Sequence, residues 1–105
     1  MNTPLTPSRF IRLSPDGREG GHITVNLGME RDGIFWVGFC EELGTAAYAE
    51  TEDETWHQLR EAVALQLSEM ERLGVIDEYL RERGVRYDPS PSHETPDAWA
   101  PASVG

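Results

Sequence analysis

The chain has 105 residues, room for one small domain that only marginally buries its own surface, so association with a partner or a second copy is expected. Nineteen acidic residues against nine basic ones, all nine of them arginine, leave a net charge of −10, which disfavours independent DNA or RNA binding and suits a basic partner. The single cysteine, Cys40, excludes an internal disulfide framework and a cysteine-based zinc site within one chain; with no apolar run near the roughly 20 residues of a membrane span and no secretory-type start, a cytoplasmic protein is expected.

Residues 1–21 carry Pro4, Pro7, Pro15, Gly17, Gly20 and Gly21, a punctuation density that predicts a flexible N-terminal segment in which only Phe10, Ile11 and Leu13 can dock. From His22 to Glu30 the residues Ile23, Val25, Leu27 and Met29 alternate with polar or small ones, the period of a half-buried strand. Asp32 and Gly33 have the chemistry of a tight hairpin turn, and Ile34–Cys40, nearly continuous in apolar character, follows as the second strand. Glu41, Glu42 and Gly44 interrupt it, and Thr45–Ala49 is predicted as a third antiparallel strand.

Thr51 then opens a helix. Its hydroxyl suits the orphan amide of the first turn, Glu54 stands where a capping box places the reciprocal carboxylate, and Glu52 and Asp53 add negative charge at the positive end of the helix dipole. Leu59, Ala62, Val63, Gln66, Met70 and Leu73 form one stripe at helical spacing, flanked by Trp56 and Leu67. Gly74 suits a left-handed C′ residue, and a shorter helix over 75–83 presents Ile76, Tyr79 and Leu80 before Gly84. Residues 88–105, with Pro89, Pro91, Pro96 and Pro101 among serines and acids, are predicted to be a disordered acidic tail. The expected fold is α+β: a three-stranded antiparallel sheet packed on one main helix, in the order β-β-β-α, plus a short C-terminal helix, with the folded domain spanning 22–87.

The ERDG hairpin, the corner Glu42-Leu43-Gly44 and the helix opening marked by Glu50, Thr51, Asp53, Glu54, Leu59, Glu61 and Ala62 resemble the HicB-like antitoxin family over about residues 22–73. Ala49 stands where the family has glycine and Glu41 where it often has proline. The resemblance implies an antitoxin of a type II toxin–antitoxin pair that neutralises a small basic HicA-like mRNA interferase by stoichiometric binding. A stand-alone interaction or regulatory module with another partner is the alternative. Family members that repress their own promoter carry a further helix-turn-helix or ribbon-helix-helix module; residues 75–105 match neither, so a minimal member without direct nucleic-acid binding is expected.

Glu41, Glu42, Glu50, Glu52, Asp53 and Glu54 fall within fourteen residues that contain no basic side chain. Of these, Glu41, Glu42, Glu50 and Asp53 are the candidate partner-binding residues, with Thr51 and Glu54 assigned to the helix cap. Trp99 is added as the aromatic anchor of a tail that orders on its partner, since disordered composition is normally poor in aromatics. Leu65, pointing away from the apolar stripe, is the candidate contact of a homodimer. No catalytic motif is visible, so no enzymatic activity and no cofactor are expected. The histidines His22, His57 and His93 lack metal-ligand spacing and read as surface or capping residues, and Cys40 reads as a small core hydrophobe.

Overall fold

The computed structural model describes residues 4–13, 19–89 and 98–102. Its elements run β1 (Leu5–Leu13), β2 (Glu19–Asp32), β3 (Phe35–Cys40), β4 (Thr45–Ala49), α1 (Glu52–Arg72), α2 (Ile76–Glu82), β5 (Tyr87–Pro89) and β6 (Ala98–Pro101). The fold is α+β, with an antiparallel sheet and two helices. The sheet has six strands rather than the expected three: β4-β3-β2-β1-β6 lie side by side, and β5 pairs with β2.

β2 is the spine, a 14-residue strand roughly 45 Å long. One edge pairs with β1 through Glu19–Gly28; the other pairs with β3 through Gly28–Asp32 and with β5 through Gly21–Ile23. Ile23, Val25 and Leu27, predicted as a half-buried face, are fully buried against α1 and α2 together with Leu59, Val63, Leu67 and Leu80. Burying each such side chain stabilises the fold by about 1.5–3 kcal/mol.

Over residues 4–13 and 19–21 the expectation of a flexible segment is corrected by β1 and the start of β2; the rest of 1–21 lies outside the described residues. The proline argument fails because of where Pro7 stands. It lies opposite Asn26, whose N–H points away from β1, so this is a non-hydrogen-bonded pair and the Pro7 nitrogen faces the outer edge of β1, where no donor is needed. Phe10 on the same strand is a core residue. The turn between β2 and β3 also shifts by one residue. Asp32 pairs with Phe35, so Gly33 and Ile34 form the loop, with Gly33 at φ +64° in the position that demands it.

The tail expectation is corrected as well. Residues 90–97 and 103–105 lie outside the described residues, but Tyr87–Pro89 and Ala98–Pro101 are strands. Trp99 is only 4% exposed, its ring 5.6 Å from that of Tyr87. Its main-chain N–H donates to Ser68 Oγ at 2.9 Å and its indole N–H to Glu71 Oε1 at 3.2 Å. Arg12 of β1 joins this cluster, pairing with Glu71 at 2.7 Å and donating to the Tyr87 hydroxyl at 3.1 Å. One large aromatic plus one largely buried ion pair thus hold Ala98–Pro101 in place, although the composition of 88–105 reads as disordered.

α1 begins as expected: Thr51 is its N-cap and accepts the Glu54 N–H at 3.2 Å. The reciprocal half of the capping box is not made among the described residues, and the Glu54 carboxylate faces solvent. The buried stripe is Thr55, Leu59, Val63, Ala64 and Leu67, so Leu67 is central where it was expected to flank, and Leu73 is exposed at the C-cap. Gly74 closes the helix in the left-handed conformation at φ +76°, with Val75 N–H bonded to Met70 O and Gly74 N–H to Glu71 O, the two bonds of a Schellman motif. Gly84 ends α2 in the same way, with Gly84 N–H bonded to Arg81 O and Val85 N–H to Leu80 O. No helix among the described residues is long and apolar enough to cross a membrane.

Candidate interaction surface

The strand registers divide the sheet into two faces. Trp36, Gly38 and Cys40 of β3 look toward α1, which comes so close that a Cβ on Gly38 would lie 3.0 Å from the Leu59 side chain. Phe35, Val37 and Phe39 look the other way, and no described element covers them. Across this outer face Ala46, Phe39, Gly28 and Leu5 are cross-strand neighbours in one row, and Tyr48 lies beside Val37 in the next. The Phe39 ring lies directly over Gly28, where a Cβ would sit 2.2 Å from its Cζ, so glycine at 28 lets the ring lie flat on the sheet. Tyr48 is 68% exposed and meets Phe35 edge to face, with centroids 5.9 Å apart. Ile34, at 74% exposure on the hairpin tip, extends the apolar area.

The six acids expected as one patch form two groups at opposite ends of β4. Glu41 and Glu42 sit in the turn Glu41–Gly44, while Glu50, Glu52, Asp53 and Glu54 surround the start of α1, roughly 17 Å away at about 3.3 Å per strand residue. Nearness in sequence misled because a fully extended strand intervenes. Glu41, Glu50 and Asp53 are exposed. Glu42 is not available in the same way: its carboxylate accepts the Asn26 main-chain N–H at 3.1 and 3.2 Å and the Asn26 side chain at 3.4 Å. The assignment of Glu42 to partner binding is therefore corrected to a structural role, closing the stretch of the β2 edge that lies between β3 and β5. Leu43 beside it is a core residue, and its carbonyl accepts from Gln66 Nε2 at 2.9 Å and the Tyr79 hydroxyl at 3.0 Å. Gln66 also bonds Thr45 and Tyr79, which makes it the polar hub beneath this corner.

Trp99, expected as a partner anchor, is corrected on the same grounds of burial: its ring and indole N–H are already used within the chain. Leu65 is 70% exposed on the outer side of α1, with Glu61 and Glu69 one turn to either side. Trp56 is half-buried, with the Arg60 guanidinium 5.5 Å from its ring centroid. Cys40 is 1% exposed, and burial raises its thiol to about 11, so it is an unreactive core group at neutral pH. His57 is exposed, 3.5 Å from Glu61, and His93 lies outside the described residues. Among the described residues no three His, Cys, Asp or Glu side chains converge to hold a metal. A groove of about 380 Å³ lies between α2 and β5, lined by Asp77, Leu80, Arg81, Val85 and Tyr87.

Phe35, Tyr48 and Ile34 were not singled out from the sequence. The signal was there in the nearly continuous apolar run Ile34–Cys40, which supplies apolar side chains to both faces of a strand although one main helix covers only one face. Compared with protein-family models, curated proteins and solved structures, the chain matches none of them.

Proposed function

We propose that this chain is a stoichiometric protein-binding module for a basic partner, acting as the antitoxin of a toxin–antitoxin pair whose toxin is a small basic HicA-like ribonuclease. The observation that carries this reading is the uncovered outer face of β3 and β4, where Phe35 and Tyr48 form an exposed aromatic pair with acidic groups at both ends of β4. Exposed aromatics are the residue types that anchor interfaces, and a rim of one charge sign steers an oppositely charged partner. Complementary charge raises association rates from about 10⁵–10⁶ to as much as 10⁸–10⁹ M⁻¹s⁻¹. The net charge of −10 acts in the same direction at longer range. An acidic surface also competes with RNA phosphate for a basic catalytic face, so inhibition requires no chemistry from this chain.

The resemblance to HicB-like antitoxins gives the reading its specific form. The corner Glu42-Leu43-Gly44 falls on the turn between β3 and β4, and the Thr51 opening falls on the start of α1. Co-expression with the product of the adjacent gene tests it: a small basic protein should co-purify in fixed stoichiometry, and its RNA cleavage should stop at one equivalent. A neighbour that is not basic, or that keeps cleaving RNA with the chain in excess, sinks the antitoxin reading. Binding of a basic neighbour without ribonuclease activity would leave a binding module with a different partner.

A further inference from the structure

β4 is the last strand of its sheet. One edge pairs with β3, and among the described residues the other edge pairs with nothing. Such an edge is a template for another strand, and proteins normally blunt it with a lysine, a proline or a bulge. Thr45–Ala49 has none of these: it is Thr-Ala-Ala-Tyr-Ala in continuous register with β3. The charges stand at its ends instead, Glu41 before it and Glu50, Glu52 and Asp53 after it, all exposed.

This placement selects the occupant. Two copies paired antiparallel through β4 would set the Glu50 end of each against the Glu41 end of the other, and parallel pairing would align like ends, so acid meets acid in both cases. A segment with basic residues at both ends meets attraction at both. Side-chain size agrees: on the outer face Ala46, opposite Phe39, is small and Tyr48, opposite Val37, is large, so an apolar side chain beside Ala46 would lie next to Tyr48.

We propose that the open edge of β4 takes up an extended segment of a basic partner as an added strand. Main-chain hydrogen bonds to Thr45–Ala49 hold the segment, its flanking Arg or Lys residues face Glu41 at one end and Glu50 and Asp53 at the other, and an apolar residue packs beside Tyr48. The proposal rests on the reading that the partner is basic and adds how that partner is held.

The test uses the full-length, ¹⁵N-labelled chain and the synthetic peptide Arg-Arg-Thr-Val-Thr-Val-Thr-Arg-Arg. Two versions of the peptide are N-methylated on alternate residues, one along each edge, and a further one has glutamate in place of arginine. The unmodified peptide should slow amide exchange within Thr45–Ala49, and methylation of the facing edge alone should weaken binding by roughly tenfold or more. Added salt should weaken binding, and the glutamate peptide should not bind. Binding that is indifferent to methylation and leaves the β4 amides unprotected overturns strand addition while the basic-partner reading stands. Absence of binding, or equal binding of the glutamate peptide, also overturns it, and the co-purification assay separately decides whether a basic partner exists. Protected β4 amides in a free protein that sediments as a dimer would assign the edge to a second copy and overturn the proposal.

Discussion

The Glu42 carboxylate accepts the Asn26 main-chain N–H at 3.1 Å, so an acid in the turn after β3 completes the hydrogen bonding of a strand sixteen residues earlier in the chain. The same carboxylate lies 3.9 Å from the Cys40 thiol. Replacing Glu42 with alanine leaves the Asn26 amide without this acceptor on an exposed edge, and a loss of about 1 kcal/mol is expected. Glu41→Ala, one residue away and exposed, should change stability by less than about 0.5 kcal/mol. Urea unfolding of the two variants distinguishes them; equal midpoints would mean that the Glu42–Asn26 contact contributes nothing.

Trp99 and the Arg12–Glu71 pair bind the C-terminal strand to β1 and α1. Trp99→Ala should cost about 3–5 kcal/mol, as for other buried aromatics, a large part of the stability of a domain this size. Glu71→Gln leaves Arg12 charged, with its side chain only 14% exposed, and a loss of about 3 kcal/mol is expected. Arg12→Met combined with Glu71→Gln should recover much of that loss, because no charge is stranded and an amide oxygen at position 71 still accepts the Trp99 indole N–H. Thermal melts of the single and double variants give the coupling, and additive losses would show that the pair does not act as a unit.

How much of this was legible in the sequence depended on how local each cause is. The alternation of Ile23, Val25, Leu27 and Met29, the Thr51 cap and the Gly74 stop are read within a few residues, and each stands where expected. Pro7 and Trp99 were misread because their meaning depends on partners far away: which edge of β1 faces outward, and whether Glu71 and Tyr87 wait for an indole. The site divides in the same way. The acids were visible, but their separation depends on β4 running extended between them, and Glu42 differs from Glu41 only through Asn26. The apolar residues on both faces of β3 are visible in the run Ile34–Cys40, but which of the two faces α1 covers is a tertiary choice.

The buried Cys40 thiol gives alkaline stability a defined direction. Burial raises it from 9.0 to about 11, so the folded state holds its proton where the unfolded state has released it. This stabilisation is fully present below pH 9 and is lost as pH rises toward 11, at most about 3 kcal/mol over that window. Tyr87, also raised by burial, adds a further loss above its ordinary value of 10.0. Cys40→Ala should flatten the first part of the decline in a pH series of urea midpoints and leave the Tyr87 part in place. An unchanged slope between pH 9 and 10 would show that the thiol is not the titrating group.

Gly28 and Phe39 set the shape of the outer face. Gly28→Ala places a methyl where the Phe39 ring now lies, and the ring must swing off the sheet. Overpacking of this kind costs typically about 1–3 kcal/mol, here toward the low end because the ring tip is free to move into solvent. The displaced ring also raises exposed apolar area next to Tyr48, so the variant should bind a hydrophobic reporter dye more strongly than the parent. Unchanged dye binding with unchanged stability would mean that Phe39 already spends its time away from Gly28.

Thr51 and its acidic neighbours separate capping from docking. Thr51→Ala removes the acceptor of the Glu54 N–H and should cost about 1 kcal/mol of stability. Partner association should keep its rate, because no charge has changed. Glu50→Gln with Asp53→Asn should do the reverse: a stability loss of about 0.5 kcal/mol from the weakened dipole interaction at Asp53, and slower, less salt-dependent association with a basic partner. The distinction rests on geometry, since the Thr51 hydroxyl points into the first turn of α1 whereas the two carboxylates are exposed beside the end of β4. Stopped-flow association measured across a salt series, alongside urea midpoints for the same proteins, resolves the two effects. If neutralising Glu50 and Asp53 lowers stability as much as Thr51→Ala and leaves the association rate alone, these acids serve the helix and the docking role falls away.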